Sequence, residues 1–354
     1  MEHLWKQNLR QIEPYVPGEQ SSDPDRIKLN ANENPYPPAP GVEAVLRSYD
    51  PAALCLYPDA NARLLKASIA RHYGVAPEQV FVGNGSDDVL ALAVQSFFNS
   101  DKPIAFPDIT YSFYPVWCRL FHIPFVTYPL TADFRIDPAD YTAPNGGVVL
   151  PNPNAPTSIG EDLPFVQALL EGNRDAVVII DEAYADFGGV SAVPLLTDYP
   201  NLLVCGTFSK SRSLAGLRLG FAIGSAELIG VLEAVKNSYN SYTVDNLSLL
   251  CGAAAMDDEA YFAKTTAAVI TTRERVRRAL EQMGFSVLPS RTNFLFATKD
   301  GASMRDLFLY LKQRHIYIRY FDLPRIDNYV RITIGTDAQM DAFLQGTEAF
   351  LRGE

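Results

Sequence analysis

The chain is expected to fold as an α/β protein, with a large unit built on a mostly parallel sheet flanked by helices and a smaller α+β unit. Three observations carry that expectation. From about residue 60 to residue 224, short β-branched or aromatic runs alternate with longer amphipathic segments, the rhythm of βα units. Several runs are apolar throughout, AVVII at 176–180 being the plainest, which suits parallel strands covered by helices on both faces. After residue 224 the rhythm changes to a long helical stretch and then a strand-rich segment.

Taken in order, the first 60 residues, IKLNANENPYPPAPG among them, are rich in Pro, Asn and Tyr and read as irregular. Residues 1–35 are assigned to an arm that packs against the smaller unit or a partner subunit, since long irregular segments in compact enzymes tend to serve function or assembly. Strands are expected at QVFVG, PIAFP, FVTYPL, GGVVLPNP, AVVIIDEAY, LLVCGTF and RLGFAIG, giving a cofactor-binding unit over 36–240. Residues 225–283 read as mostly helical. SVLPS, TNFLFAT, IYIRYF and YVRITIG read as strands, with helices at about 301–314 and 337–352, and the small unit spans 241–354.

Composition limits the functions open to this fold. With 354 residues, 47% of them hydrophobic, the chain can bury a large core and divide into two domains. A net charge of −11 argues against a nucleic-acid partner, so any anionic ligand must meet a local pocket of cations. No apolar run approaches the ~20 residues of a membrane span, and MEHLWKQNLRQIEPY lacks the apolar stretch of a secretory signal, so the cytoplasm is expected. Four cysteines without a CxxC and four histidines without an HxxxH imply neither disulfides nor a metal site.

Ligands of an open parallel sheet bind beyond the carboxyl ends of its strands. After QVFV comes GNGSDD, where two glycines permit a tight turn and the first amides of the following helix, at Ser86 and Asp87, form an anion site. The same residues also read as an ordinary capped helix start, and a dinucleotide fold is a weaker competitor because the third glycine of GxGxxG is missing. After AVVII comes Asp181, a carboxylate that needs a cation or donors to offset its burial. After LLVCGTF come Ser209 and Lys210, an amine placed for Schiff-base chemistry, with Arg218 nearby. An anion cradle, an acid and a lysine at successive strand ends match the needs of pyridoxal phosphate: a phosphate site, a pyridinium partner and an aldehyde partner.

The ordered set GNGSDD, PDITYSFYP, PNPNAPTS, DEAY, TFSKSRSLAGLRLGF and YVRITIG resembles the fold type I pyridoxal-phosphate aminotransferases, and among their branches the histidinol-phosphate aminotransferases. The likeness covers nearly the whole chain, LNANENP and LYPDAN included. It implies that Lys210 is the Schiff-base lysine and proton carrier, that Asp181 pairs with the pyridinium nitrogen, that Tyr184 bonds the ring oxygen O3′ and that Tyr111 stacks on the ring. It also implies a phosphate held by Ser86 and Asp87 amides, the Ser209 hydroxyl and Arg218, with Tyr57 reaching the phosphate in a neighbouring subunit of a homodimer. One departure concerns O3′: the family usually has Asn directly before Pro-Thr, whereas this chain has Ala155, so either Asn154 shifts to serve or Tyr184 acts alone. Ser158, where glycine is usual, is a milder difference.

Arg319 and Arg331, at the ends of C-terminal strands, are expected to grip a carboxylate or phosphate, and the resemblance gives Arg331 the substrate anion. Tyr15, Tyr239 and Tyr242 are candidates to line the pocket. Arg325 reads as a surface ion pair and Arg212 as solvated. The expected reaction is amino transfer between histidinol phosphate and 2-oxoglutarate by a ping-pong route. An aromatic or broad-specificity aminotransferase, or a decarboxylase of a phosphorylated amino acid, is the alternative within the fold. A non-catalytic or NAD-binding α/β protein is the alternative outside it.

Overall fold

The continuous apolar runs form a seven-stranded sheet because both of its faces are covered. A computed structural model describes residues 3–15, 18–19, 22–142 and 144–354. The arm contributes β1 (Ile27–Lys28). The central sheet comprises β2 (Val80–Gly83), β3 (Ile104–Pro107), β4 (Phe125–Tyr128), β5 (Gly147–Pro151), β6 (Val178–Asp181), β7 (Leu202–Thr207) and β8 (Gly220–Gly224). The C-terminal part adds β9 (Ser286–Val287), β10 (Phe294–Thr298), β11 (Ile316–Tyr317), β12 (Arg319–Tyr320) and β13 (Val330–Thr333).

Strand order in the central sheet is β2-β8-β7-β6-β5-β3-β4. Only β8 runs against its neighbours. Alternate residues of β6 enter opposite cores, Val178 and Ile180 one of them and Ile179 the other. That two-sided burial explains an unbroken VVII where a half-exposed strand would alternate, and each such side chain contributes about 1.5–3 kcal/mol. A third core, with Leu295, Ile332 and Phe343, lies around the four-stranded sheet β12-β13-β10-β9.

IYIRYF is not one strand. Its first half, β11, pairs in parallel with β1 of the arm (Ile27↔Ile316), and its second half, β12, pairs antiparallel with β13 (Arg319↔Arg331). The arm is therefore a strand of a small sheet as well as an irregular segment. Beyond the division expected at 240/241, Leu249, Cys251 and Met256 of the helix Asn246–Asp257 pack into the same core as Leu65 and Leu219. No described helix is long and apolar enough to cross a membrane.

Arg212 is buried rather than solvated, at 6% exposure. Its Nη1 donates to the carbonyls of Ala255 (3.0 Å) and Met256 (3.4 Å) at the end of the helix Asn246–Asp257, and the guanidinium lies 3.7 Å from the Phe262 ring centroid. Helix C-terminal carbonyls carry partial negative charge, so a cation is favoured there. Arg325 forms the expected ion pair, with Asp108 at 3.3 Å. The Arg212→Met variant should unfold in urea with a stability loss of about 2–3 kcal/mol, from charged hydrogen bonds and the cation–π contact; a loss below ~0.5 kcal/mol would mean that the burial is energetically idle.

Candidate active site

The strand ends that the sequence singles out meet at one edge of the central sheet. Gly83, Gly220 and Thr207 stand in one cross-strand row, as Gly83 faces Gly220 and Gly220 faces Thr207. Above that row the helix Ser86–Phe97 begins, with Gly85 before it at φ +90°. A Cβ on Gly220 would sit 2.3 Å from the Ser86 nitrogen, and one on Gly85 would sit 2.7 Å from Arg218 Nη2. These two positions need glycine so that backbone amides and a guanidinium can converge on one spot.

Over this edge opens a cavity of about 380 Å³, with Lys210, Asp181, Tyr184, Ser86, Arg218 and Arg331 in its wall. Lys210 Nζ donates to the Ala31 carbonyl at 3.2 Å and lies 5.7 Å from the centre of the Tyr184 ring. Asp181 is 5% exposed and accepts from Tyr114 Oη (3.0 Å) and the Ala183 amide (3.1 Å). Burial pushes its pKa up to about 6 against those two hydrogen bonds. A cation placed against it would restore the carboxylate.

The anion end is equally well defined. Arg218, in the left-handed region at φ +53°, holds Asp87 Oδ2 at 3.1 Å, while Tyr111 Oη donates to Asp87 Oδ1 at 2.7 Å. Burial, with Asp87 adding, raises the Tyr111 pKa far above the phenol range, so Tyr111 is a neutral donor. Asp88 is occupied elsewhere, accepting from the Asn84 amide at 2.9 Å. Ser209 Oγ accepts from Thr207 Oγ1 at 3.1 Å, so both hydroxyls belong to the wall of the cradle. In the same cavity wall Arg319 and Arg331 face each other across β12 and β13. Arg331 Nη2 donates to the Asn30 carbonyl at 2.9 Å, and its enclosed Nε has no hydrogen-bond partner among the described residues. Burial lowers the Arg331 pKa, and Arg319 adds to that effect.

The family profile for class I and II aminotransferases matches residues 24–346. The chain belongs to this aminotransferase family. It is 51% identical to a histidinol-phosphate aminotransferase of Chromohalobacter salexigens over 99% of this chain and 100% of that protein. It is 52% identical to histidinol-phosphate aminotransferase 2 of Dechloromonas aromatica over 97% of each chain. Among solved structures, the histidinol-phosphate aminotransferase of Sinorhizobium meliloti in complex with pyridoxal 5′-phosphate superposes with a TM-score of 0.82 at 26% identity, covering 92% of this chain and 90% of that one.

Within this aminotransferase, not every expected residue lines the cavity of its own chain. Asn154 is not in the cavity wall: its amide donates to Ile109 O (3.0 Å) and Thr157 Oγ1 (2.9 Å) and accepts from Thr110 Oγ1 (3.2 Å). With those bonds made, it braces the loop, and Ala155 is the residue that reaches the wall. Tyr57 is 80% exposed and stacks on Tyr242 at 4.5 Å, so both lie outside the cavity of their own chain, as does Tyr239. Tyr15 does line it, stacked on Phe113 at 4.2 Å. Ser158 takes φ +68°, the conformation for which glycine is the usual residue.

Sequence reasoning missed Tyr114, Thr207 and the asparagines of LNANEN. Asn34 Nδ2 donates to the Lys210 carbonyl at 2.9 Å, and Asn32 Nδ2 donates to Tyr184 Oη at 2.9 Å. Three asparagines in five residues were the available signal, since each amide side chain brings two donors and an acceptor that need partners when buried.

Glu182, beside Asp181, points to the other side and accepts from the Ala192 amide at 2.6 Å. Burial, reinforced by Asp186 and Asp181, raises its pKa from 4.5 to about 8. The folded state thus binds this proton more tightly than the unfolded state. Its contribution is complete below about pH 4.5 and is lost as the pH rises toward 8, with a limiting slope of about 1.4 kcal/mol per pH unit. Urea unfolding of Glu182→Gln and the parent chain across that range should show the variant gaining relative stability as pH rises; parallel curves would mean that Glu182 is ionised throughout.

Proposed function

We propose that this aminotransferase binds pyridoxal 5′-phosphate and moves an amino group between histidinol phosphate and 2-oxoglutarate. The observation that carries the substrate reading is the facing pair Arg319 and Arg331. Like charges directly opposite on neighbouring strands are destabilising, and an unpaired buried donor on one of them adds to the cost. A dianion between them relieves both. The donor's phosphate and the carboxylates of 2-oxoglutarate are groups of that kind, gripped by parallel guanidinium hydrogen bonds.

The residues present suit the cofactor. The glycine-lined amides of Ser86 and Asp87, with Ser209 and Arg218, would hold its phosphate, and Asp181 would support a protonated ring nitrogen. Tyr111 would flank the ring and Tyr184 would donate to its ring oxygen. When bound, pyridoxal phosphate supplies an aldehyde for amine exchange and an electron-poor ring that takes up the electron pair left when a Cα proton departs. Lys210 Nζ would carry that proton from the amino donor's Cα to the cofactor's C4′ carbon, and in the opposite sense in the second half-reaction, which is why its amine needs to stay free of a carboxylate partner. Tyr15 closes one wall. A homodimer is part of this reading: the exposed Tyr57 and Tyr242 stack would meet the partner's cavity. Buried free thiols at Cys118, Cys205 and Cys251 suit the reducing cytoplasm.

Aromatic amino acids are the second reading, favoured by Tyr15, Tyr111 and Phe321 in the cavity wall. A single-turnover experiment separates the two by following loss of the bound cofactor's visible absorbance with histidinol phosphate, glutamate, phenylalanine and tyrosine. Faster conversion with histidinol phosphate is expected, and equal or slower conversion would transfer the assignment to the aromatic donors. Lys210→Ala should abolish turnover with every donor. Arg319→Ala should lower kcat/KM for histidinol phosphate by roughly 10²-fold, the loss of a bidentate charged contact, and for glutamate by less; equal losses would make Arg319 structural.

A further inference from the structure

Tyr184 Oη has one hydrogen-bond partner among the described residues, and it is a donor. Asn32 Nδ2 gives its hydrogen to the phenol oxygen at 2.9 Å. Asn32 Oδ1 accepts from Thr333 Oγ1 at 3.0 Å, with the amide nitrogen on the side of Tyr184. Its backbone N–H donates to the same Thr333 Oγ1 at 3.0 Å, and its carbonyl accepts from Asn293 Nδ2 at 2.9 Å. Every backbone and side-chain polar group of Asn32 is thereby used, at 1% exposure and with φ +56°, a conformation that asparagine tolerates better than most residues.

A phenol whose oxygen already accepts one hydrogen bond still has its own proton to give. The groups around it offer no alternative sink: Lys210 Nζ sits over the ring at 5.7 Å, the Phe294 ring meets it edge-on at 5.1 Å, and Arg331 and Tyr111 act on it only through space. The O3′ contact for which the family usually has an amide falls here on Ala155, and Asn154 is turned inward with its bonds made.

We propose that Asn32 is a positioning residue of the reaction, its amide committing Tyr184 to act as a donor toward the cofactor's ring oxygen and thereby standing in for the amide absent at Ala155. The inference rests on the pyridoxal-phosphate reading above, though not on the choice of amino donor. Because Thr333 closes β13 and Asn293 precedes β10 while Tyr184 follows β6, the relay ties the cofactor's ring oxygen to the smaller sheet.

The test uses full-length protein loaded with pyridoxal phosphate and compares the parent chain with Asn32→Asp, Thr333→Val, Tyr184→Phe and the pair Asn32→Asp with Tyr184→Phe. An aspartate at this position takes the phenol's proton and so withdraws it from the cofactor. A hydrogen bond to the ring oxygen stabilises its anionic form. Losing it should raise the pH midpoint of the cofactor's visible absorbance by about one unit and weaken uptake of pyridoxal phosphate by the apo protein roughly threefold to tenfold. Asn32→Asp and Tyr184→Phe should shift the midpoint alike, the pair no further than either alone, and Thr333→Val in the same direction. Ala155→Asn added to Asn32→Asp should bring the midpoint back. A midpoint unmoved in Asn32→Asp, whatever its melting temperature, overturns the relay. If Asn32→Asp does not fold, an unmoved midpoint in Thr333→Val does the same. A parent chain that takes up no pyridoxal phosphate overturns the cofactor reading instead, and failure to convert histidinol phosphate leaves the relay standing.

Discussion

The site depends on one reversal of chain direction. β8 is the only strand of the central sheet that runs against its neighbours, and it follows β7 with a connection of residues 208–219. Because the two strands are antiparallel, both ends of that connection lie at the same edge, where β2, β5 and β6 also end. Lys210 near its start and Arg218 near its finish therefore arrive together, whereas a right-handed parallel crossover would have delivered the second cation to the far edge. The other neighbour of β8 is β2, whose end leads into Ser86, so an amine, a guanidinium and a helix N-terminus come from three chain segments joined by one row of strand pairs. The row is tight enough that Gly220 has no room for a side chain.

The arm converts that edge into a closed site. Within five residues, Asn30 receives Arg331 on its carbonyl, Ala31 receives Lys210, Asn32 reaches Tyr184 and Thr333, and Asn34 holds the Lys210 carbonyl. β1 anchors this run by pairing with β11, and the break in IYIRYF follows from it: residues 316–317 are taken by the arm and residues 319–320 by β13. Arg319 reaches the cavity opposite Arg331 because the strand changes partner at Ile318, a buried residue between the two sheets.

This division of labour explains what was legible in the sequence. Strand ends of a parallel sheet are local features: a run such as AVVIID states both that a strand is buried and that an acid closes it, so Ser86, Asp181 and Lys210 could be expected at one sheet edge, and they share one cavity wall. Arg212 could not be placed in that way. Its neighbours, the carbonyls at Ala255 and Met256 and the Phe262 ring, lie more than forty residues away and exist as a binding site only once two helices meet end to end. The same holds for Asn32, whose partners at 184, 293 and 333 come from three separate elements. Asn154 was left open for a related reason: adjacency in sequence placed it next to the expected position, whereas its bonds to Ile109, Thr110 and Thr157 are made within the loop.

A chain of net charge −11 that recognises anions has to do so at short range. At physiological ionic strength the field of surface charges is screened within about 8 Å, so the excess of carboxylates outside does little to a ligand already in the cavity. Inside, the balance is reversed: Lys210, Arg218, Arg319 and Arg331 share one wall system, and the carboxylates beside them are committed, Asp87 to Arg218 and Tyr111, Asp181 to Tyr114 and the Ala183 amide. The cations fall into two stations of that lining, Arg218 beside the start of the helix Ser86–Phe97 and Arg319 with Arg331 on a pair of facing strands. Two stations suit the proposed ligand, which is anionic at both ends of its assembled form, a cofactor phosphate and a substrate anion.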